Sequence, residues 1–427
     1  MGDGIERLRT ALRRLDRETL AVLLVWSCLL VQPIGRLVEL PVVVMALGGV
    51  YLLVRRWPEI RDDAATRWYA TAFLLAWIPV VVSLVDAVNA EATLRIVVNH
   101  LRFAFGGVFI VYALGSPRAH DRFLALCAWV LLLWVADGLV QVLIGRDVFG
   151  FAAPPGRINA LFGEEGLAYG ILLGVLCPLL WEHATRRWAR WQVGAVVLAT
   201  LAAVLVAGAR SAWINVAVIA FAYGIVLWRR RRRFPTGLLA GAVVGAALVV
   251  AILWSGSDRF SSRLENAIGA LTGDTPVMED AIGHRLWIWR GAVNMIEDNL
   301  GTGVGAGGFR YAFARYADAN DPFVNADPPI NPYHSHQLWL QVSSETGMVG
   351  VVGLLALLVL LAALAARAPP AARRLMLPYG LCLVAAYFPF NTHMAIYSSF
   401  WSQIVWWLIA LYCAAYGAGR TGDGVRG

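Results

Sequence analysis

The sequence predicts an all-α, polytopic integral membrane protein with about 12 transmembrane helices and one large helical loop. Three observations support this fold class. Hydrophobic residues make up 59% of the 427 residues, and the mean hydropathy of +0.63 is far too high for a soluble globular chain. The apolar residues gather into segments long enough to cross a hydrocarbon core of about 30 Å. The connections between these segments are unevenly charged, as in multi-pass proteins.

Twelve apolar segments recur along the chain, each of about 15 to 22 residues. They cover residues 20–34, 38–54, 68–85, 96–114, 123–144, 167–181, 191–207, 213–228, 237–254, 349–366, 375–388 and 399–416. This pattern divides the chain into three parts. Residues 1–254 hold the first nine helices, residues 255–348 form a large loop, and residues 349–427 hold the last three helices and a short tail.

The arginines predict how the chain is oriented in the membrane. The sequence has no lysine, so arginine supplies all 36 basic residues. If the N-terminus is cytoplasmic, 24 of the 36 arginines fall in inside connections, as the positive-inside rule requires. Both termini are then cytoplasmic, and the large loop 255–348 lies outside. The net charge of +8 therefore reflects topology, and the arginine run at 229–233 is interpreted as a membrane anchor and not as a nucleic-acid site.

The best candidate for a catalytic residue is His336, in the stretch NPYHSHQLWLQVSSETGMVG at residues 331–350. If a helix begins near Ser335, a spacing of four and three residues puts His336 on one face with Leu340, Ser343, Gly347 and Gly350. Glu345 then falls on the opposite face. The two glycines let a neighbouring helix approach closely, which fixes the direction of the histidine. Taken alone, an ordinary polar histidine at a helix entrance is the commoner explanation.

The large loop contains further predicted elements. Amphipathic helices are expected over DRFSSRLENAIGALTG at 258–273 and EDAIGHRLWIWRGAVNMIEDN at 279–299. The glycine-rich GTGVGAGG at 301–308 follows. Because no strand precedes it, we interpret it as a structural turn between helices and not as a nucleotide loop. A short helix over 309–317 and a Pro-rich segment then lead to His334 and His336.

Three arginines stand apart by their surroundings. Arg210 lies in a short connection, AGARSAW, Arg285 on the second loop helix, and Arg157 in the outside stretch RINALFGEEGLAYG. Each alone is explained equally well as an arginine that snorkels to the membrane surface. Together with His336 they suggest more specific chemistry, because guanidinium groups bind a diphosphate bidentately and imidazole accepts a proton.

These segments resemble one known family. His336 and Gln337, then nine residues, Gly347, two residues and Gly350 are similar to the histidine motif of the O-antigen ligases, the WaaL-type members of the Wzy_C superfamily. HRLWIWRGAVNMIEDN with GTGVGAGGF, AGARSAW and RINALFGEEGLA resemble its other conserved segments, so the similarity spans about residues 155–350. The chain departs from the family pattern at Asn299 and Leu300, where proline is often found, and at Ala160, where glycine is common.

The resemblance implies a GT-C-like all-α membrane fold and a glycosyltransferase that acts on the periplasmic face of a Gram-negative inner membrane. The donor is expected to be O-antigen carried on undecaprenyl diphosphate, and the acceptor a sugar hydroxyl of lipid A-core. His336 is the expected general base, and Arg210 and Arg285 the residues that bind the diphosphate in an inverting reaction. The remaining expected site residues are Arg157, Arg290, Gln337 and His334 for substrate binding and Gly303, Gly305, Gly347 and Gly350 for the structural motif.

The sequence gives no reason to expect a metal or cofactor. His334 and His336, with Asp318, Asp321 and Asp327 nearby, match no strong ligand template. The five cysteines all lie in apolar runs, so disulfides and a cysteine zinc site are not expected. The expected partners are the donor, the acceptor and membrane lipids, without nucleic acid.

Other functions remain open at this point. A transporter with 12 helices explains the hydropathy, but Arg102 and Asp137 are its main intramembrane charged residues and no internal repeat is visible. An O-antigen polymerase or a protein O-oligosaccharyltransferase of the same superfamily shares the donor and differs in the acceptor. One large loop and a short tail favour the ligase over both.

Overall fold

The computed structural model describes residues 16–154, 157–163, 168–231, 285–390 and 395–424. Over these ranges the chain is α-helical and forms no β-strand, apart from an isolated bridge between Arg146 and Ala152. The predicted all-α class is therefore confirmed for the part of the chain that the structure describes.

The described helices follow one another closely along the chain. They are α1 Arg17–Leu30, α2 Glu39–Arg55, α3 Trp57–Asp62, α4 Ala64–Val82, α5 Ala90–Ala113, α6 Pro117–Ile144, α7 Ala168–Arg187, α8 Arg190–Val206, α9 Arg210–Arg231, α10 Arg285–Asp298, α11 Phe309–Tyr316, α12 Leu338–Arg367, α13 Pro370–Ala386 and α14 Ser399–Gly424. Two 3₁₀ helices cover Gln32–Val38 and Ala160–Phe162.

Eleven of the twelve apolar segments predicted from the sequence coincide with one of these helices. The ninth, at 237–254, and the loop helix predicted at 258–273 lie outside the described residues. Six stretches are long and apolar enough to cross a membrane, namely Gln32–Arg55, Ala64–Val82, Ala90–Ala113, Pro117–Ile144, Ala168–Arg187 and Leu338–Arg367. The chain is therefore a membrane protein with several spans, and the total of about 12 remains a prediction.

The helices bury one face and leave an apolar face outside, as expected in lipid. On α2, Leu40, Leu47 and Val54 recur every seven residues and are exposed, whereas Met45 and Leu52 are buried. In water an exposed aliphatic stripe of this kind would be costly, but lipid tails solvate it. The stripe therefore marks the lipid-facing side of α2.

Helix α14 is the centre of the bundle. Residues 401–416 are buried throughout, and α14 packs against α13, α5 and α4. Where α14 begins, Ser399 meets the Arg102 guanidinium, whose Nη1 lies 2.7 Å from Oε2 of Glu39. A charged side chain inside a bundle requires such a partner.

Asp137 is the other charged residue noted within a predicted span. Its Oδ1 accepts the Val148 N–H at 2.8 Å, so the carboxylate fastens α6 to the segment that follows it. Arg102 and Asp137 thus both make local structural contacts, and these contacts give the transporter hypothesis no support.

Candidate active site

His336 lies before α12 and not on it. The helix begins at Leu338, and Gln337 is its N-cap, with the Gln337 side chain accepting the Leu340 N–H at 2.5 Å. The prediction that His336 shares a helical face with Leu340 and Ser343 was therefore wrong. A side chain that can accept the free N–H groups of the first turn ends the helix locally, which places His336 in the segment leading into the helix.

Both neighbours of His336 are held by hydrogen bonds. The Ser335 carbonyl accepts the indole N–H of Trp289 at 2.9 Å, and the Ser335 hydroxyl donates to the Gln337 carbonyl at 2.9 Å. On the other side, Nε2 of Gln337 donates to the Pro389 carbonyl at 2.9 Å. Trp289 belongs to α10, so this helix determines where His336 lies.

The backbone of His336 has the left-handed φ of +54°. For a residue other than glycine this conformation costs about 1–3 kcal/mol, and it persists only where the surroundings impose it. The contacts of Ser335 and Gln337 provide that constraint. Strain of this kind concentrates at functional sites, which makes His336 a stronger candidate than its sequence position alone did.

The fold brings Arg210 and Arg285 together, although they are far apart in the sequence. Arg210 is the first residue of α9, and Arg285 lies one turn before Trp289 on α10. Both side chains are half-buried. Burial, and in second place the positive charge of Arg210, lower the pKa of Arg285. Two guanidinium groups that stay protonated repel one another, and the α9 N-terminus adds positive potential, so the site favours an anion.

The glycine-rich turn at 301–308 joins α10 to α11 and packs against a break in α12. The break is at Gly347, where φ is +60°. It frees backbone groups that the turn then satisfies: Met348 N–H donates to the Leu300 carbonyl at 2.8 Å, and the Ser344 carbonyl accepts the Val304 N–H at 2.9 Å. Every buried backbone group needs such a partner, so turn and break depend on each other.

The glycines of the motif act differently from the prediction. At Gly347 the closest neighbour is the backbone at Gly301 and Thr302, and at Gly350 it is the side chain of Thr346 in the same helix. A neighbouring helix, as predicted, is therefore not the contact. Gly303 has φ +69°, and a Cβ there would lie 2.5 Å from the Glu345 carbonyl carbon, so both chains need glycine where they cross.

The opposite side of the turn is fixed to the connection between α4 and α5. The Val88 N–H donates to the Val304 carbonyl at 3.0 Å, and the Ala306 N–H donates to the Ser83 hydroxyl at 3.1 Å. The Ala306 carbonyl accepts the Thr93 hydroxyl at 3.1 Å. The turn is thus held between α12 and the α4–α5 connection, and it holds α10 in turn.

Sequence reasoning missed Glu345 and Gln341. Glu345 was placed on the face opposite His336 and given no role, yet its carboxylate is buried against the glycine-rich turn. Oε2 accepts the Gly307 N–H at 2.5 Å, and Oε1 accepts Nε2 of Gln341 at 3.3 Å. A carboxylate two residues before a predicted helix-packing glycine was the available signal.

The other predicted site residues lie differently. Arg290 is on the exposed side of α10, over the Trp287 ring and 3.9 Å from Asp318, and so apart from Arg285. Gln337 uses its amide to cap α12 and hold Pro389, which assigns it to positioning. The His334 ring lies 4.0 Å from the His336 ring, centroid to centroid.

Arg157 lies in the segment between α6 and α7. It is half-buried there, and the backbone N–H groups of Asn159 and Ala160 are both held by Oε1 of Gln141. The contacts found in the described ranges do not join Arg157 to Arg210 or Arg285. Its part in substrate binding stays a prediction.

Two of the three family departures fit their surroundings. Ala160 has φ +46°, a conformation that glycine adopts without strain, which accounts for glycine being common there. Asn299 ends α10 by donating from Nδ2 to the Met295 carbonyl at 2.9 Å and to the Tyr316 hydroxyl at 3.0 Å. The loop geometry is thus compatible with the residues present.

Within the described ranges, no three His, Cys, Asp or Glu side chains come together as a set that could hold a metal ion. The cationic groups of the site are arginines instead. An arginine pair beside a strained histidine, on a bundle with lipid-facing helices, defines the class: a polytopic membrane protein with a site suited to an anionic substrate.

Comparison with known proteins names the family. Residues 194–355 match the family model described as O-antigen ligase, Wzy_C. The match includes Arg210, Arg285, the glycine-rich turn and the His336 motif, and it confirms the resemblance found in the sequence. No curated protein matches the chain.

Proposed function

We propose that the protein is an O-antigen ligase. It transfers O-antigen from undecaprenyl diphosphate to a sugar hydroxyl of lipid A-core, on the periplasmic face of the inner membrane of a Gram-negative bacterium. The observation that carries the proposal is the meeting of Arg210 and Arg285 beside the segment that Trp289 fixes to α10. A half-buried pair of like charges suits a diphosphate, whose oxygens accept from both guanidinium groups.

The proposed reaction is a single displacement. His336 takes the proton from the acceptor hydroxyl as that oxygen attacks the anomeric carbon of the donor sugar. The bond from this carbon to the diphosphate oxygen breaks, and the electron pair leaves with undecaprenyl diphosphate. Arg210 and Arg285 stabilise the charge that develops on the leaving group. Because attack and departure occur on opposite faces, the anomeric configuration is inverted.

The proposal is tested by separating the base from the diphosphate-binding pair. His336→Ala should lower single-turnover transfer by at least about 10²-fold and leave donor binding nearly intact, because imidazole contributes in proton transfer. Arg210→Ala and Arg285→Ala should weaken donor binding by about 10- to 100-fold, since each removes a charge-assisted contact. Arginine-to-lysine changes should rescue poorly, because lysine lacks the planar fork.

Arg95→Ala is the matched control. Arg95 is exposed and pairs with Glu91 at 2.6 Å within α5, so its loss should change neither quantity. Wild-type turnover by folded His336→Ala would refute the mechanism. The acceptor is tested separately by offering lipid A-core, a peptide and a second donor molecule. Use of the peptide or of the second donor would assign the chain to the protein O-oligosaccharyltransferases or to the polymerases.

A further inference from the structure

An exposed pair of tyrosines lies beside the His336 segment. Tyr311 is 50% exposed and Tyr333 is 69% exposed. The guanidinium of Arg310 lies between them, 5.6 Å from the Tyr311 ring centroid and 4.7 Å from that of Tyr333. A cation over two aromatic faces is attracted to both, so the rings are held in place. We call Arg310, Tyr311 and Tyr333 the tyrosine platform.

The platform rests on a small rigid core. Helix α11 turns Phe309 and Phe313 inward, where they pack with Ile288 and Met295 of α10. Arg310 and Tyr311 lie on the outward side of the same helix. The segment that ends at Tyr333 is fixed as well, because the Ile330 N–H donates to the Phe323 carbonyl at 2.8 Å. Large exposed side chains on a rigid support bind with little loss of conformational entropy.

The position of the platform relates it to the site. Tyr333 directly precedes His334, whose ring contacts His336. Along α10, Arg285 comes first, Trp289 then holds Ser335, and Asn294 donates to the Tyr316 carbonyl at the end of α11. Nine residues separate Arg285 from Asn294, roughly 13 Å along a helix. His336 is thus tied to α10 between the arginine pair and the helix that carries the platform.

We propose that the tyrosine platform binds the saccharide of the acceptor. The C–H faces of pyranose rings pack on tyrosine rings, and their hydroxyls can accept from the Arg310 guanidinium. The donor diphosphate is assigned to Arg210 and Arg285, so a glycan that reaches His336 from the opposite side is the acceptor. This inference rests on the proposed function and adds how that substrate is held.

A membrane-contact role fits the platform less well. Tyrosines do concentrate at membrane interfaces, but a helix lying in the interface exposes aliphatic residues. The exposed residues of α11 are Arg310, Tyr311, Ala314 and Arg315, and Asp318 and Asp327 are exposed just after it. Such a surface is polar, with aromatic rings as its large apolar groups, which is the composition that suits a sugar.

The test is steady-state transfer with each substrate varied in turn. Tyr333→Ala and Tyr311→Ala should raise KM for lipid A-core about 3- to 10-fold, the loss expected for one ring contact, and leave KM for the donor unchanged. Tyr333→Phe keeps the ring and should restore most of the affinity. Tyr51→Ala, at an exposed tyrosine of α2, is the control, and thermal unfolding verifies that each variant is folded.

A binding measurement separates this inference from the proposed function. Saturation-transfer NMR with the delipidated core oligosaccharide and detergent-solubilised protein reports contact without catalysis. If wild type binds the oligosaccharide, loses binding on Tyr333→Ala and yet transfers nothing, the proposed function fails and the platform stands. If transfer is normal and neither KM nor binding responds to the tyrosine changes, the platform is refuted. A change confined to donor KM, or to the dependence of activity on lipid composition, also refutes it.

Discussion

The contact between Glu345 and the glycine-rich turn allows a quantitative prediction. Oε2 of Glu345 accepts the Gly307 N–H at 2.5 Å, and Oε1 accepts Nε2 of Gln341 at 3.3 Å. The other end of the Gln341 amide is also occupied, since Oε1 of Gln341 accepts the Ile396 N–H at 3.0 Å. The chain of three contacts fixes which atom must be a donor and which an acceptor.

Glu345→Gln breaks this order without changing the shape of the side chain. The new NH₂ group has to face either the Gly307 N–H or the NH₂ of Gln341, and both are donors. Gln341 cannot turn over, because the Ile396 N–H needs its oxygen. One buried donor is left without an acceptor, which costs about 1–3 kcal/mol.

The double variant Gln341→Glu with Glu345→Gln restores the order. A carboxylate at 341 accepts the Ile396 N–H and the new amide, whose oxygen accepts the Gly307 N–H. The two changes should therefore be non-additive, with most of the loss recovered. Gln341→Glu alone should be the least stable of the three variants, since it buries two carboxylates side by side.

A thiol-reactive fluorophore can follow unfolding, because all five cysteines are free and buried in the folded protein. Glu345→Gln should lower the thermal midpoint by a few degrees, and the double variant should return close to wild type. Transfer activity should follow the same pattern, since the turn positions α10. An unchanged midpoint for Glu345→Gln would show that the carboxyl is already neutral and refute the donor count. A double variant no better than the single one would refute the proposed order of contacts.

Three further results are expected. Cysteine introduced at exposed Asn320 should be labelled from the periplasm by an impermeant reagent and cysteine at exposed Ala189 should not, and the reverse pattern would invert the topology and remove the catalytic assignment. Transfer should survive EDTA while the acceptor stays dispersed, because arginines supply the positive charge, and activity restored only by Mg²⁺ or Mn²⁺ would contradict this. Ala160→Gly should leave the thermal midpoint nearly unchanged, because relief of a left-handed φ, about 1–2 kcal/mol, offsets the lost buried methyl group and the added chain entropy, and a large drop would contradict that balance.

Local sequence determined the helices and the chemistry of this protein. A transmembrane helix needs a long apolar run, which can be counted directly, and eleven such runs became helices. The amphipathic stripe of residues 279–299 predicted α10, and the glycines of residues 301–308 predicted a turn. Arg210, Arg285 and His336 could be chosen because few side chains bind a diphosphate or accept a proton near neutral pH.

Only the tertiary structure decided how these residues meet. The proximity of Arg210 to Arg285, the left-handed backbone of His336 and the burial of Glu345 all depend on contacts between distant parts of the chain. The sequence predicted a helix through His336 because apolar spacing cannot show that Gln337 will cap it. Likewise, the break at Gly347 forms because the glycine-rich turn satisfies the backbone groups that it frees. Periodicity records which face of a segment is apolar, whereas a site is made where segments cross, and hydrogen-bond partners there are chosen by the whole fold.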